Sequence, residues 1–340
     1  MNTSVLVIGL GSMGKRRVRN LQALGFTKIS GFDIRSDRAE EAAALYSIPT
    51  FTDFEMALSE SSAKAWVISL PPAIHHVYMK KAVELSIPFF VEASVVDTDM
   101  ETIIKEAANK KVFAAPSSTM YFHPAIRKIF ELVQNSYLGT VSNILYHMGN
   151  YLPDWHTYEK VSDFYVSNKE TGGAREIVPF ELTWITKLFG FPQQVVGSVK
   201  KTIEIEGASE IDDTYNSILD YGKFSIVLTV DVVTRNSTRR LLINGSLRQL
   251  EWDWNANCVK VFHHDKQEWE VFEYETKTAA AGYNKNITEQ MYIDEMNAFF
   301  QGIEKPGSYV NTLEHDHKVL KTLYAIERSY SEKKFVSFTG

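Results

Sequence analysis

The chain reads as an α/β protein of two domains: a doubly wound parallel sheet, then an α+β domain on a large, mostly antiparallel open sheet. Three observations predict this. An apolar run, Val5-Leu6-Val7-Ile8, leads into Gly9-Leu10-Gly11-Ser12-Met13-Gly14 and a helical segment. Strand and helix signals then alternate to about residue 115, as βαβ units require. Beyond Thr140 the pattern changes to serial strands broken by Gly, Asn and Asp turns, the signature of antiparallel pairing. A length of 340 residues with 44% hydrophobic content suits two cores of this kind. The domains are expected at residues 1–120 and 121–340, with the C-terminal helices packing back on the first.

The first strand, glycine turn and helix together form a phosphate site, because backbone N–H groups approach a pyrophosphate at a helix N-terminus. Gly9 permits the tight turn, Gly11 leaves room for phosphates, and Gly14 lets helix and strand approach; Ser12 and Met13 belong to the same turn. Lys28-Ile29-Ser30-Gly31-Phe32-Asp33 is the next strand and ends on an acid 19 residues after Gly14. An acid there grips the adenosine ribose hydroxyls. Asp33 would repel a 2′-phosphate, and Arg35 offsets this only partly, so NAD is the expected cofactor and NADP is disfavoured. Helices at 38–46, 54–59, 74–85 and 100–110 alternate with strands at 65–69, 88–91 and 112–115. The second domain shows strands at 140–151 and between 194 and 274, then amphipathic helices at 287–303 and 311–331, and a short strand at 335–338.

The charge balance, 36 basic against 42 acidic residues for a net −6, argues against general nucleic-acid affinity. The run Lys15-Arg16-Arg17-Val18-Arg19 reads as a solvated helix face or a group beside the cofactor. One cysteine, Cys258, excludes an intrachain disulfide framework and a cysteine metal cluster. The first residues lead straight into a strand without a leader, and no apolar run approaches the roughly 18 residues that span a bilayer. The expected place is the reducing cytoplasm, with no membrane partner. His75-His76 and His263-His264 are adjacent, and His315 and His317 lie two apart; none has the spacing of ligands on one helix face, so no metal is expected.

This order of parts resembles the Gfo/Idh/MocA family of NAD(P)-dependent oxidoreductases, almost end to end. Ser69-Leu70-Pro71-Pro72-Ala73-Ile74-His75 is similar to the family's strand-end segment beside the dinucleotide, which implies cofactor roles for Leu70, Pro71 and His75. Phe89-Phe90-Val91-Glu92 matches the strand leading into its Glu-Lys-Pro motif and implies the same for Glu92. Tyr121-Phe122-His123-Pro124-Ala125 resembles the interdomain segment. Thr171-Gly172-Gly173 and Leu188-Phe189-Gly190 bracket the helix that carries the family's catalytic acid and histidine. Tyr292, Glu295 and Phe299 fit a late helix. Gly149-Asn150-Tyr151-Leu152-Pro153-Asp154-Trp155-His156 resembles the loop of members in bacterial surface-sugar and nucleotide-sugar pathways. Its chemistry suits a sugar: Trp155 can stack on a pyranose face while Asp154 and His156 bond its hydroxyls.

Two motifs break the pattern. Glu92 is followed by Ala93 and Ser94, so the family's lysine is missing and the lost proline predicts an ordinary trans peptide. Registered on its flanks, the second motif puts Glu176 at the acid position, Phe180 at the histidine and Thr183 at the following acid. Alanine and phenylalanine cannot take a hydroxyl proton. The proton is therefore expected to pass through Glu176, His156 or His123, with Tyr121, Asp154, Trp155, Arg175 and Glu181 on the substrate. Glu181 follows Pro179 and reads as an acid in a helix's first turn, while Arg175 suits a substrate carboxylate or phosphate. The expected activity is NAD-dependent hydride transfer at a sugar or nucleotide-sugar, with a displaced proton relay. The alternative is a dinucleotide- or sugar-sensing protein that has lost catalysis. A homodimer or homotetramer through the C-terminal sheet is expected.

Overall fold

The computed structural model describes residues 2–155, 159–276 and 288–338. The chain divides into two compact units, Met1–Thr119 with Gln290–His317, and Met120–Glu289 with Lys318–Gly340. Among the described residues no helix is long and apolar enough to cross a membrane.

In the first unit β1 (Val5–Ile8), α1 (Ser12–Ala23), β2 (Ile29–Phe32), α2 (Ser36–Tyr46), β3 (Thr50–Phe51) and α3 (Phe54–Ser61) are followed by β4 (Ala65–Ile68), α4 (His75–Glu84), β5 (Phe89–Val91), α5 (Met100–Lys110) and β6 (Ala114–Pro116). The strands form one parallel sheet in the order β3-β2-β1-β4-β5-β6. Every residue of β1 and β4 is buried. That is why these strands are continuous apolar runs and not alternating ones: helices cover both faces of a parallel sheet.

The second unit begins with α6 (Pro124–Gln134), β7 (Val141–Tyr151) and α7 (Ala174–Phe189). Strands β8 (Gln194–Lys200), β9 (Thr214–Asp220), β10 (Ser225–Asp231), β11 (Val233–Gly245), β12 (Arg248–Asp253), β13 (Cys258–His263) and β14 (Glu268–Glu273) follow. The chain then runs through α8 (Glu289–Glu304), α9 (Leu313–Glu332) and β15 (Val336–Ser337). The nine-stranded sheet, β14-β13-β12-β11-β7-β10-β9-β8-β15, is antiparallel except where β10 lies parallel to β7. Its strands do alternate. Along β10, Ile226 and Leu228 are buried while Val227 is exposed, as a sheet with one covered face requires.

Three local expectations are corrected. The helix α6 was not foreseen, although Ile126, Ile129 and Phe130 recur at helical spacing and are buried. Pro124 opens it, and the His123 imidazole caps it by accepting the Ala125 N–H at 3.2 Å. Glu181 is not in a first turn. Helix α7 starts at Ala174, after Gly173 at φ 63, and carries Pro179 in its interior. Burial of Ile177, Val178, Leu182, Trp184 and Ile185 outweighs the lost backbone bond.

The third correction concerns the basic run of α1, which is not a solvated face. Arg16 and Arg17 are 2% and 0% exposed. Arg17 donates to both Glu92 oxygens at 2.6 and 2.9 Å and to Glu295 at 2.9 Å. It also lies over the Phe90 ring at 4.5 Å, while Arg16 lies over Tyr292 at 4.2 Å. Burial works against the Arg17 charge, but Glu92 and Glu295 outweigh it and hold its pKa above the ordinary value. Arg17→Met would leave both carboxylates uncompensated, so about 3–5 kcal/mol of stability should be lost. Urea denaturation measures this; a loss below about 1 kcal/mol would show that the carboxylates reach water instead.

Candidate functional site

The glycine turn tests its three assigned roles directly. Gly9 has φ +91, and a Cβ there would lie 2.5 Å from the Ser69 carbonyl oxygen. A Cβ on Gly14 would fall 1.8 Å from the Gly9 carbonyl oxygen, so helix and strand approach as closely as glycine alone permits. Gly11 differs. Its φ of −67 is open to any residue, and the nearest atom to a Cβ there is an Arg38 guanidinium nitrogen at an ordinary 3.5 Å. The space beside Gly11 is therefore room for a ligand. Helix α1, which starts at Ser12 and Met13, has no side-chain cap and no acid in its first turn. Its positive dipole end is left for an anion.

Asp33 stands at the end of β2, 5% exposed. Its carboxylate accepts the Leu10 N–H at 2.8 Å and the Arg35 N–H at 3.0 Å, which ties it to the glycine turn. The Arg35 side chain turns to Asp37 at 2.6 Å. Arg38, which sequence reasoning passed over, instead brings its guanidinium to Gly11. Its signal was available: a cation in the first turn of α2, five residues after the acid.

The neighbouring strand ends are held by polar contacts. His75 is buried, and its Nε2 lies 2.7 Å from the Leu70 carbonyl, so this nitrogen carries the proton. Its Nδ1 then accepts from the Ser94 hydroxyl at 3.2 Å. Burial pushes the His75 pKa down to about 4, which keeps it neutral. Ser94, standing where the family motif has proline, thus steadies the Leu70-Pro71 turn. Among the described residues every peptide bond is trans. Glu92 takes the Ser69 hydroxyl at 3.2 Å besides Arg17.

In the second unit several predicted site residues gather at one end of the sheet. Leu152 N–H donates to the Val232 carbonyl at 3.1 Å, Val232 N–H to Asp213 at 2.9 Å, and Ala174 N–H to Asp212 at 3.2 Å. These bonds bring the Leu152–Trp155 loop and the start of α7 to the same strand ends. Asp154 is exposed there, and half-buried Trp155 has an enclosed Nε1 without a partner among the described residues. His156 lies outside the described residues. Glu176, in the first turn of α7, accepts from the Tyr165 hydroxyl through Oε1. Its Oε2 is enclosed and has no partner among the described residues. Burial pushes the Glu176 pKa up to about 7, against the Tyr165 bond that lowers it.

The other candidates are committed to partners within the unit. Glu181, 0% exposed, accepts from Arg239 at 2.9 Å, Tyr146 at 2.7 Å and the Trp184 indole at 2.8 Å. Arg175 pairs with Glu327 at 2.6 Å and also donates to the Glu170 carbonyl. Tyr121 packs edge-on against Phe122 and Phe130. His123 lies between Trp252 and Tyr274, with ring centroids 5.5 and 5.4 Å away. Burial, with Arg239 in support, pushes its pKa down to about 3.

A parallel six-stranded sheet with an uncapped helix behind a glycine turn, and an acid ending its second strand, defines a dinucleotide-binding Rossmann domain. Residues 3–115 match the model of the Gfo/Idh/MocA family, an oxidoreductase family with an NAD-binding Rossmann fold. The match covers the first domain alone, which is similar to that family's NAD-binding Rossmann domain, and its cradle fits NAD. No curated protein matches the chain. Among solved structures it is similar in fold to levoglucosan dehydrogenase in complex with NADH and levoglucosan, at 15% identity, 100% coverage of both chains and a TM-score of 0.86. An oxidoreductase from Agrobacterium radiobacter in complex with NAD+, L-tartaric acid and magnesium matches at 9% identity over 99% of both chains, with a TM-score of 0.85. UDP-N-acetylglucosamine 3-dehydrogenase from Acidithiobacillus ferrooxidans matches at 16% identity, covering 98% of this chain and 99% of that one, with a TM-score of 0.77.

The glycines separate binding from folding. Gly11→Val should leave circular dichroism unchanged and abolish NADH binding, since its side chain enters the phosphate space without backbone strain. Gly14→Ala should cost about 1–3 kcal/mol or more, because the Gly9 carbonyl cannot yield. Retained NADH affinity in the first variant, by calorimetry, would make the turn merely structural. Asp33→Ala should narrow a preference for NAD over NADP that is at least about tenfold in the parent.

Proposed function

We propose that this chain is an NAD-dependent oxidoreductase of a sugar or nucleotide-sugar, with Glu176 as its proton-transferring group. The observation that carries this is the Glu176 carboxyl: one oxygen is held by Tyr165, the other is enclosed without a partner, and its pKa sits at about 7. Such a group changes protonation near neutrality at little cost, as a general acid or base must. Gly9, Gly11, Ser12, Met13 and Gly14 would hold the pyrophosphate, Asp33 the ribose, and Leu70, Pro71, His75 and Glu92 the neighbouring wall. When bound, the nicotinamide supplies the two-electron hydride acceptor or donor. Tyr165 holds Oε1 in place, so the proton from a sugar carbinol is received at Oε2. Trp155 and Asp154 belong to the sugar side. Glu181 and His123 are left to structure, because the Glu181 oxygens are taken by Arg239, Tyr146 and Trp184, and the buried His123 ring caps α6 through Nδ1.

Two of the similar folds are named for sugars: one is levoglucosan dehydrogenase, the other UDP-N-acetylglucosamine 3-dehydrogenase. That supports a sugar substrate here. The second reading, a sensor without turnover, draws on Ala93 and Phe180 at the positions of the family's lysine and histidine. Glu176→Gln decides between them. It should lose more than about a hundredfold in kcat while NADH affinity is unchanged. His156→Asn, made alongside, should lose far less. Parent turnover in the oxidative direction should rise with pH through about 7, where Glu176 loses its proton. The stability effect has the opposite sense. The folded pKa lies above the unfolded one, so the native state binds the extra proton and stability falls as pH rises from about 4.5 to 7. Glu176→Gln should therefore raise the melting temperature at pH 8 and leave it nearly unchanged at pH 5. No turnover with any sugar, with binding intact, would favour the sensor.

The homo-oligomer is assigned to the outer face of the second sheet. Leu145, Ile218 and Val227 are exposed there. A concavity of about 480 Å³ adjoins them, rimmed by Arg240 and Lys260 against Glu251 and Asp253. Charges of both signs on one apolar face suit an isologous contact with a second copy. Val227→Lys should shift the mass in light scattering toward the monomer; an unchanged mass would move the contact elsewhere.

A further inference from the structure

We infer that Arg235 recognises an oxyanion on the substrate, so that the sugar bound by the second unit is anionic: a sugar phosphate, a nucleotide-sugar or a sugar acid. This rests on the sugar reading above and sharpens it. The residue sits in an irregularity of β11. Val233 pairs with Tyr151 and Thr238 with Gly149, so residues 234–237 are looped out of register with β7. Bulges of this kind re-aim side chains, and they gather beside functional sites.

The bulge is built, not slack. One Asp231 oxygen accepts the Val233 and Thr234 N–H groups at 3.1 and 2.9 Å, and the other meets His147 at 2.7 Å. Gly149 gives way to it: a Cβ there would lie 2.4 Å from the Thr234 hydroxyl. The Ser237 hydroxyl donates to the Asn150 side chain at the far end. Fixing four residues this way has an entropic cost, and what they display is Arg235. Its guanidinium carbon stands 3.7 Å over the Tyr151 ring, while the residue remains exposed. Stacking engages the face of a guanidinium and leaves the N–H donors, which lie in its plane, for a partner. Among the described residues no carboxylate takes them.

The location fits a substrate group. Tyr151, under the guanidinium, is the residue before the Leu152–Trp155 loop, and Val232 bonds that loop through Leu152. Arg235 is thus mounted at the root of that loop. Two other arginines of this unit are already matched, Arg175 by Glu327 and Arg239 by Glu181. A fork of donors on an aromatic shelf suits phosphate or carboxylate, which it can bond through two oxygens at once.

The test is calorimetric binding to the NADH-loaded protein of matched probes: glucose and N-acetylglucosamine, their 1-phosphates, their UDP conjugates, and glucuronate. Anionic forms should bind at least about tenfold tighter than the neutral parent sugar, a margin that shrinks as salt is raised. Arg235→Gln should remove most of that margin while changing neutral-sugar and NADH affinity less than about twofold. Arg235→Lys should restore part of it. Which probe gains most, phosphate or carboxylate, identifies the oxyanion. Neutral and anionic sugars bound equally by the parent, or a margin untouched in Arg235→Gln, would overturn the inference and leave the sugar reading standing. No binding by any sugar, neutral or charged, would overturn both.

Discussion

The first unit depends on one buried guanidinium. Arg17 comes from α1, the helix that follows the glycine turn, and its two carboxylate partners come from the end of β5 and from α8. Each partner reaches further. Glu92 takes the Ser69 hydroxyl at the end of β4. Glu295 takes the Ser118 N–H at 2.6 Å and the Ser117 and Thr119 hydroxyls at 3.1 and 2.8 Å, just past β6. Burial pushes the Glu295 pKa up, and Arg17 opposes it. Helix α1 and the carboxyl ends of β4, β5 and β6 are thereby tied to one charge. These are the strand ends beside which a doubly wound sheet binds its ligand. Desolvating three ionised groups is expensive, and apolar residues of the same volume would pack at least as well. The network is better understood as a device for position: it fixes where the glycine turn stands relative to the neighbouring strand ends.

Much of the fold was legible because its signals are local. The glycine turn, the alternating segments to residue 115 and the period-two strands beyond 140 each follow from a few adjacent residues. What could not be read was long-range. Lys15-Arg16-Arg17-Val18-Arg19 looks like a water-facing helix until Glu92 and Glu295, far along the chain, are seen to meet it. Glu181 looks like a first-turn acid for the same reason. Pro179 signals a helix start, and only the burial of its neighbours reveals a helix running through it. The late helix was legible in pattern, and Phe299 does pack against Phe90 and Phe113, at 6.0 Å between ring centroids.

The site divides along the same line. Gly9 and Gly14 were separable from sequence because each meets a constraint of the backbone, a positive φ in one and a close carbonyl in the other, whereas Gly11 meets neither. Motif departures were harder to weigh. Read alone, Ser94 for proline is a loss. In the fold its hydroxyl completes the hydrogen bonding of His75, whose other nitrogen holds the Leu70 carbonyl, so the substitution is absorbed by a neighbour 19 residues away. Arg38 was missed because the sequence places it on a helix without saying which way it leans. Arg35, nearer to Asp33, was the natural choice, and it is drawn off by Asp37.

Glu176 and Glu181 show why residue type and register leave the chemistry undecided. Both stand on α7, five positions apart, which on a helix turns them to different faces. Glu181 meets a cation and two further donors, Tyr146 and the Trp184 indole, in a fully buried pocket. Every direction of its charge is answered, and its work is cohesion between α7, β7 and β11. Among the described residues Glu176 meets one hydroxyl and no cation. Enclosure without compensation is costly for a charged carboxylate and mild for a neutral one, so the proton is held until about neutral pH. The sequence presents two equivalent acids. Their surroundings tie one into the structure and leave the other able to exchange a proton, and that asymmetry is the physical basis of the proposal that Glu176 carries the chemistry.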